Sequence, residues 1–302
     1  MRIAVTGATG FLGHYIVNHL LNEGHDCRCW FRPEGDRGGF AEETRGQLEW
    51  VPGDLGEPQS IEPLVDGADA VVHAALARPG AGFRAAEGDL VDFVDKNITS
   101  TIRLILAARR ADAHRFVFIS SCAVHEVILD DRPLDEAHPL WPKTHYGAYK
   151  AAVEKFVHSF GFGEGYEICS LRPTGIYGMA RPAEDSKWYD LVHTVAAGRP
   201  VDSDRGGKEV HAADVARAVS LLLTADGVAG QAYNCYDMYI SDEMVARIAK
   251  QMTGSDSSIS SRNRGPQHQI ETGKLRSLGM TFGGEALLRD TVRQMLESRA
   301  TV

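Results

Sequence analysis

Residues 2–13 read RIAVTGATGFLG, and this stretch decides the fold. RIAVT is a short apolar run of strand character, and FLGHYIVNHLLNEG (11–24) is a helix ending at a glycine. Gly7 and Gly10 fall between them, and Gly13 falls in the first turn of the helix. Glycines there let the backbone turn tightly and approach a pyrophosphate, while the helix N-terminus supplies open N–H groups and a favourable dipole. A lone glycine pattern is weak, but between strand and helix at the head of an alternating chain it marks a dinucleotide site.

The alternation continues outward. HDCRCWF (25–31), QLEWVPGD (47–54), DAVVHAA (69–75), HRFVFISS (114–121) and YEICSLRP (166–173) read as further strands. Helices are predicted over about 88–112 and 146–160. The expected fold is α/β, a Rossmann-type doubly wound parallel sheet with a smaller C-terminal substrate-binding domain. Such a sheet binds ligands beyond the carboxyl ends of its strands, so the residues just after each strand matter most. The boundary is placed at 175, giving a dinucleotide-binding domain over 1–175 and a second over 176–302, with 211–235 packing back on the sheet. In the second part, ARPAEDSKW (180–188) and DSDRGGKEV (202–210) read as loops around a helix at 186–198. Helices at 241–253 and 284–299 flank TGSDSSISSRNRGPQH (253–268), which shows no periodicity.

Composition bounds the function. The 302 residues are 43% hydrophobic and carry a formal charge of −9, which argues against nucleic acid or an anionic membrane as the main partner. Met1 and Arg2 run directly into the first strand, and no apolar run approaches the length of a membrane span, so a soluble cytoplasmic protein is expected. Five scattered cysteines, Cys27, Cys29, Cys122, Cys169 and Cys235, read as reduced, buried thiols. Neither they nor the histidines show metal-ligand spacing, and no metal is expected.

THYGAYK (144–150) holds the candidate chemistry. On a helix, Tyr146 and Lys150 share a face, whereas Tyr149 is turned about 100° from Lys150 and shares a site with it less readily. A tyrosine with a pKa of about 10 needs help to act as a base at neutral pH, and an adjacent ammonium favours its phenolate. Lowering that pKa by about three units corresponds to roughly 4 kcal/mol. A hydroxyl at a strand end would complete the site, and both Ser120 and Ser121 qualify.

In order along the chain, TGATGFLG (6–13), GDL (53–55), VVHAA (71–75), FVFISSCAVH (116–125), Tyr146 with Lys150, LRPTGIYG (171–178) and VHAADVARA (210–218) resemble the extended short-chain dehydrogenase/reductases, the NAD-dependent epimerase/dehydratase family. The resemblance implies Ser121, Tyr146 and Lys150 as catalytic residues, with Lys150 also reaching the nicotinamide ribose. It implies cofactor contacts at Gly7, Thr9, Gly10, Phe11, Leu12, Gly13, Asp54, Leu55, Ala74, Ala75, Asn97 and Pro173 as well as Tyr146 and Lys150. Asp54 would meet the adenine amine, and Asn97 would support the lysine region. Ser120 is then a structural hydroxyl, Cys122 a packing residue and Tyr149 a wall residue at a position where the family often has serine.

Departures from the family narrow the reading. Ser121, Cys122 and Ala123 stand where 4,6-dehydratases carry Thr-Asp-Glu, so dehydration is disfavoured. Gly207 stands near the arginine that grips a substrate diphosphate, with Arg205 and Lys208 as candidate replacements. WFRPEG ends the second strand with Phe31 in place of the acidic residue that suits NAD, followed by Arg32, which favours NADP over NAD; Asp36 lies too far along to substitute. The first expectation is therefore an oxidoreductase acting at a secondary alcohol or ketone of a sugar-like substrate, a (nucleotide-)sugar epimerase. The alternatives are an NADPH-dependent reductase of a non-nucleotide substrate and, from another class, a non-catalytic NADP-sensing regulator, which would lack the tyrosine and lysine. The substrate pocket is expected from 78–96, 122–145, 174–190 and 200–210, with Trp141, His145 and Trp188 as candidate contacts. A homodimer through the Tyr146 helix and the 88–112 helix is implied by resemblance.

Overall fold

A computed structural model describes residues 1–78 and 88–298. Six strands form β1 (Arg2–Thr6), β2 (Asp26–Phe31), β3 (Leu48–Pro52), β4 (Ala70–His73), β5 (Arg115–Ile119) and β6 (Glu167–Pro173). They pair in parallel in the order 3-2-1-4-5-6, and Ala232–Cys235 adds a seventh parallel strand beside β6. β4 and β5 are buried along their whole length, which is why each reads as an unbroken apolar run. The strand order reverses between β1 and β4, the switch point at which doubly wound sheets bind ligands.

The chain divides into two compact units that interleave in sequence. The first takes 1–173, 215–235 and 271–280, and the second takes 174–214, 236–270 and the chain from 281 onward. The helix predicted over 88–112 is Leu90–Val94 and Ser100–Arg110 joined by a π-helical turn, Asp95–Thr99. Such bulges occur frequently at functional sites, and this one carries Asn97. The Tyr146 helix runs His145–His158, started by Thr144, whose Oγ1 accepts the N–H of Gly147 at 3.1 Å.

Within the second unit, a three-stranded sheet joins Gly175–Tyr177, Gly206–His211 and Met238–Ser241. None of these strands is evident in the sequence: they are short, and Gly175, Gly206 and Gly207 break the apolar pattern. Ile259–Ser260, within the stretch that lacked periodicity, pairs in parallel with Val201–Asp202. Helices Tyr189–Ala196, Asp242–Thr253 and Gly284–Glu297 supply Val192, Val195, Val245, Ile248, Leu288 and Met295 to this unit's core.

Candidate active site

The turn after β1 is shaped by backbone alone. Gly7 has φ +74°, and a Cβ there would lie 2.8 Å from the N of Ala75. A Cβ on Gly13 would run into the Gly7 carbonyl. The turn closes through Gly10 N–H donating to Gly7 O at 3.0 Å, and Gly10, Phe11 and Leu12 then open the helix without a side-chain cap. Its first amides are therefore left for an anion. Thr9 lies against the turn after β2, where a Cβ on Gly35 would meet its Oγ1 at 2.9 Å.

β4 is fixed to this turn by a buried polar chain. Thr6 Oγ1 lies 2.6 Å from His73 Nδ1, His73 Nε2 lies 2.8 Å from Thr101 Oγ1, and Thr6 Oγ1 accepts the N–H of Ala75 at 3.1 Å. Burial pulls the His73 pKa down to about 3, with the Lys150 charge adding to it. Ala74 N–H donates to Thr6 O at 3.3 Å, so Ala74 and Ala75 sit at the switch point.

Arg32 and Asp54 come together beyond β2 and β3. Arg32 Nε is 3.3 Å from Glu34 and 3.9 Å from Asp54, with its side chain half exposed. Leu55 is buried and its carbonyl accepts from Ser100 Oγ at 2.5 Å. Asn97 takes a different neighbour from the one anticipated. Its amide clamps the loop after β4, Oδ1 accepting from Ala77 N and Nδ2 donating to Ala77 O and Phe93 O, each at 2.9 Å. Its link to Lys150 runs through Phe93, which packs edge-on to Tyr149 with centroids 5.8 Å apart. Pro173, at the end of β6, is buried beside Cys235 of the seventh strand.

Ser121, Tyr146 and Lys150 converge at the end of β5. The Tyr146 hydroxyl is hydrogen-bonded to Ser121, whose Oγ also accepts the N–H of Ala123 at 3.1 Å. Burial pushes the Tyr146 phenol up to about 12, opposed by Ser121 and by Arg78 and reinforced by Cys122. The Arg78 guanidinium stands 4.9 Å from the Tyr146 ring centroid. Lys150 is 3% exposed; its Nζ donates to Ile119 O at 2.5 Å and lies 4.7 Å from the Phe118 and Tyr149 ring centroids.

The sequence-based separation of Tyr149 from Lys150 does not hold. Lys150 Nζ donates to Tyr149 Oη at 3.1 Å, whereas it lies 5.7 Å from the Tyr146 ring centroid. Helical angle fixes only where side chains leave the backbone, and two long side chains bend back together. Cys122 is partly exposed and contacts the carbonyl of Arg172 at 3.1 Å. The other four cysteines are buried.

A buried polar cluster behind Tyr146 and Lys150 escaped the sequence reading. Ser120 Oγ donates to Glu154 Oε1 at 2.5 Å, and Arg172 grips both Glu154 oxygens, with Nη2 2.6 Å from Oε2. Arg172 Nη1 lies 3.1 Å from His125 Nε2 and donates to Glu136 O at 3.2 Å. Both members of the ion pair are almost wholly buried. The signal was present, since Tyr146, Lys150 and Glu154 recur every four residues along an otherwise apolar face.

In the second unit Glu209 is 3% exposed and pairs with Lys187 at 2.5 Å. Its carboxylate fills the room beside two glycines: a Cβ on Gly175 would fall 2.5 Å from Oε2, and one on Gly207 would collide with Oε1. Lys208 alternates to the opposite face of the strand, and Arg205 is exposed. Trp188 donates its indole N–H to Asp242 at 3.0 Å, while Trp141 is 47% exposed and His145 is exposed. Of the expected substrate-lining stretch 78–96, residues 79–87 lie outside those described.

A parallel doubly wound sheet with a glycine cradle at its switch point defines a dinucleotide-binding α/β protein, and the cradle fits a dinucleotide because a Cβ would fill it. The model of the NAD dependent epimerase/dehydratase family matches residues 3–235, and the chain belongs to that family of NAD(P)-dependent enzymes of extended short-chain dehydrogenase type. The 3 beta-hydroxysteroid dehydrogenase/Delta 5→4-isomerase of Mycobacterium tuberculosis is 30% identical over 197 residues, 63% of this chain and 51% of that protein. The chain thus spans about half the length of that relative. Tetraketide alpha-pyrone reductase 1 of Arabidopsis thaliana is 23% identical over 98% of this chain and 95% of its own. Among solved structures, the UDP-glucose 4-epimerase of Thermus thermophilus in complex with NAD has TM-score 0.78 at 23% identity, covering 100% of both chains. The UDP-N-acetylglucosamine 4-epimerase of Methanobrevibacter ruminantium has TM-score 0.80 at 19% identity, covering 98% of each. At these identities the structures speak to the fold.

Proposed function

We propose that this protein is an NAD(P)-dependent oxidoreductase that interconverts a secondary alcohol and a ketone on a substrate lacking a nucleotide diphosphate. The observation that carries the reaction is the buried Ser121–Tyr146 hydrogen bond with Lys150 behind it. When bound, the dinucleotide supplies or takes the hydride. Tyr146 gives its phenolic proton to the carbonyl oxygen during reduction and takes it back during oxidation. Ser121 donates a hydrogen bond to the same oxygen as charge develops there. The Lys150 ammonium lowers the cost of the phenolate, which burial alone makes unfavourable. No carboxylate stands at Ser121, Cys122 or Ala123 to assist loss of water.

The choice of a reductase over a nucleotide-sugar epimerase rests on Glu209. A diphosphate needs a cation, and residue 207 offers no side chain where a buried carboxylate already sits, itself occupying Lys187. The relatives named as a steroid dehydrogenase and a pyrone reductase agree with a substrate of that kind. Arg32 at the end of β2 favours NADP through the extra phosphate.

The test is turnover of a panel of ketones with NADPH, with uridine diphosphate binding measured alongside. Tyr146→Phe is expected to lower kcat by about 1000-fold, and uridine diphosphate is expected not to bind. Wild-type turnover in Tyr146→Phe sinks the mechanism, and saturable uridine diphosphate binding sinks the substrate class.

A further inference from the structure

One face of the helix His145–His158 meets three consecutive residues at the end of β5. Tyr146 bonds Ser121, Lys150 donates to the Ile119 carbonyl at 2.5 Å, and Glu154 accepts from Ser120 at 2.5 Å. We propose that Glu154 is a positioning residue for the Tyr146–Lys150 pair: clamped by Arg172, its carboxylate fixes the helix against the strand end and supplies the counter-charge for Lys150. The inference rests on the roles given to Tyr146 and Lys150 above.

A carboxylate that served packing alone would be a costly choice, because burying two charges is rarely repaid by their mutual attraction. Glu154 is 0% exposed and Arg172 is 1% exposed. Lys150, one helical turn away, is a buried cation whose described neighbours are mostly rings. The groups facing it are Tyr146 and Tyr149 from its own helix, His73 from β4, Arg78 from the loop after β4 and the Ile119 carbonyl from β5. None of these is an anion in its ordinary state. Glu154 is faced by Ser120 from β5 and Arg172 from β6, and Arg172 in turn by His125. Burial pulls the Lys150 ammonium down to about 7; Glu154 opposes that fall and Arg78 adds to it. Without Glu154, Lys150 would lose its proton, and with it the charge that favours the Tyr146 phenolate, at a lower pH.

The test needs neither cofactor nor substrate, so it is independent of whether the proposed reaction is correct. The full chain is labelled with ¹⁵N-lysine, and the Nζ resonance of Lys150, assigned by its loss in Lys150→Arg, is followed through its titration. Glu154→Gln is expected to lower the Lys150 midpoint by about 1 pH unit, while Glu154→Asp, which keeps the charge, stays with the wild type. A Glu154→Gln midpoint equal to that of the wild type overturns the proposal, as does an equal fall in Glu154→Asp. If thermal melting shows Glu154→Gln to be unfolded, the double variant E154Q/R172Q also removes the Arg172 charge that Glu154 had paired, and carries the same expectation for Lys150.

Discussion

Two of the places in this molecule that exclude a side chain do so with different materials. At Gly13, in the first turn of the helix after β1, the obstacles are backbone: the Gly7 carbonyl and the Cα of Ala8. At Gly207 in the second unit the obstacle is the carboxylate of Glu209. Backbone cannot be mutated away, so the first exclusion belongs to any chain with this turn. The second depends on one residue and can be edited. The cradle that receives a common dinucleotide is thus rigid by construction, while the part that argues about substrate is adjustable.

Gly13→Ala should give the largest effect on the rigid side, weakening NADPH binding by about 1000-fold. Fluorescence titration measures it, and a neighbouring side-chain truncation that restored binding would break the contrast. Next comes the polar chain that seats β4 against the cradle. His73 is neutral in the folded state, its pKa lowered to about 3, whereas an unfolded histidine titrates at about 6.5. The folded protein therefore binds fewer protons, and the stability contributed by neutral His73 is full above pH 6.5 and is lost as pH falls towards about 3. Between pH 6.5 and pH 4 the loss from this group should be about 3 kcal/mol. Urea unfolding at several pH values measures it, and His73→Gln should flatten that dependence. The smallest effect lies on the adjustable side. Gly207→Ala should cost about 1 kcal/mol, and Glu209→Ala should recover most of it in a double-mutant cycle. An additive cycle would mean that the carboxylate is not what excludes the side chain.

The same contrast explains what could be read from the chain. The parallel sheet was legible because buried strands are forced to be apolar, and the cradle because only glycine tolerates its contacts. Tyr146 with Lys150 was legible from helical spacing. Glu154 shared that spacing, but its pairing with Arg172 was not legible, since a charged residue inside an apolar strand or helix gives no sign that its partner is another such residue. Nor was the Tyr149–Lys150 contact, which depends on how two side chains bend rather than where they start. The sheet of the second unit was hidden by brevity and by its glycines, two of which make room for Glu209. Sequence proximity also failed to foretell that 271–280 joins the first unit.

Glu209 also constrains how this protein could change over generations. A side chain at 207 has to displace the tip of Glu209, and removing the carboxylate first leaves the partly exposed Lys187 without this partner. Each single step is penalised, although the pair together need not be. If the proposed substrate class is right, a lineage carrying this arrangement reaches diphosphate-bearing substrates most readily when changes at 207 and 209 arrive together.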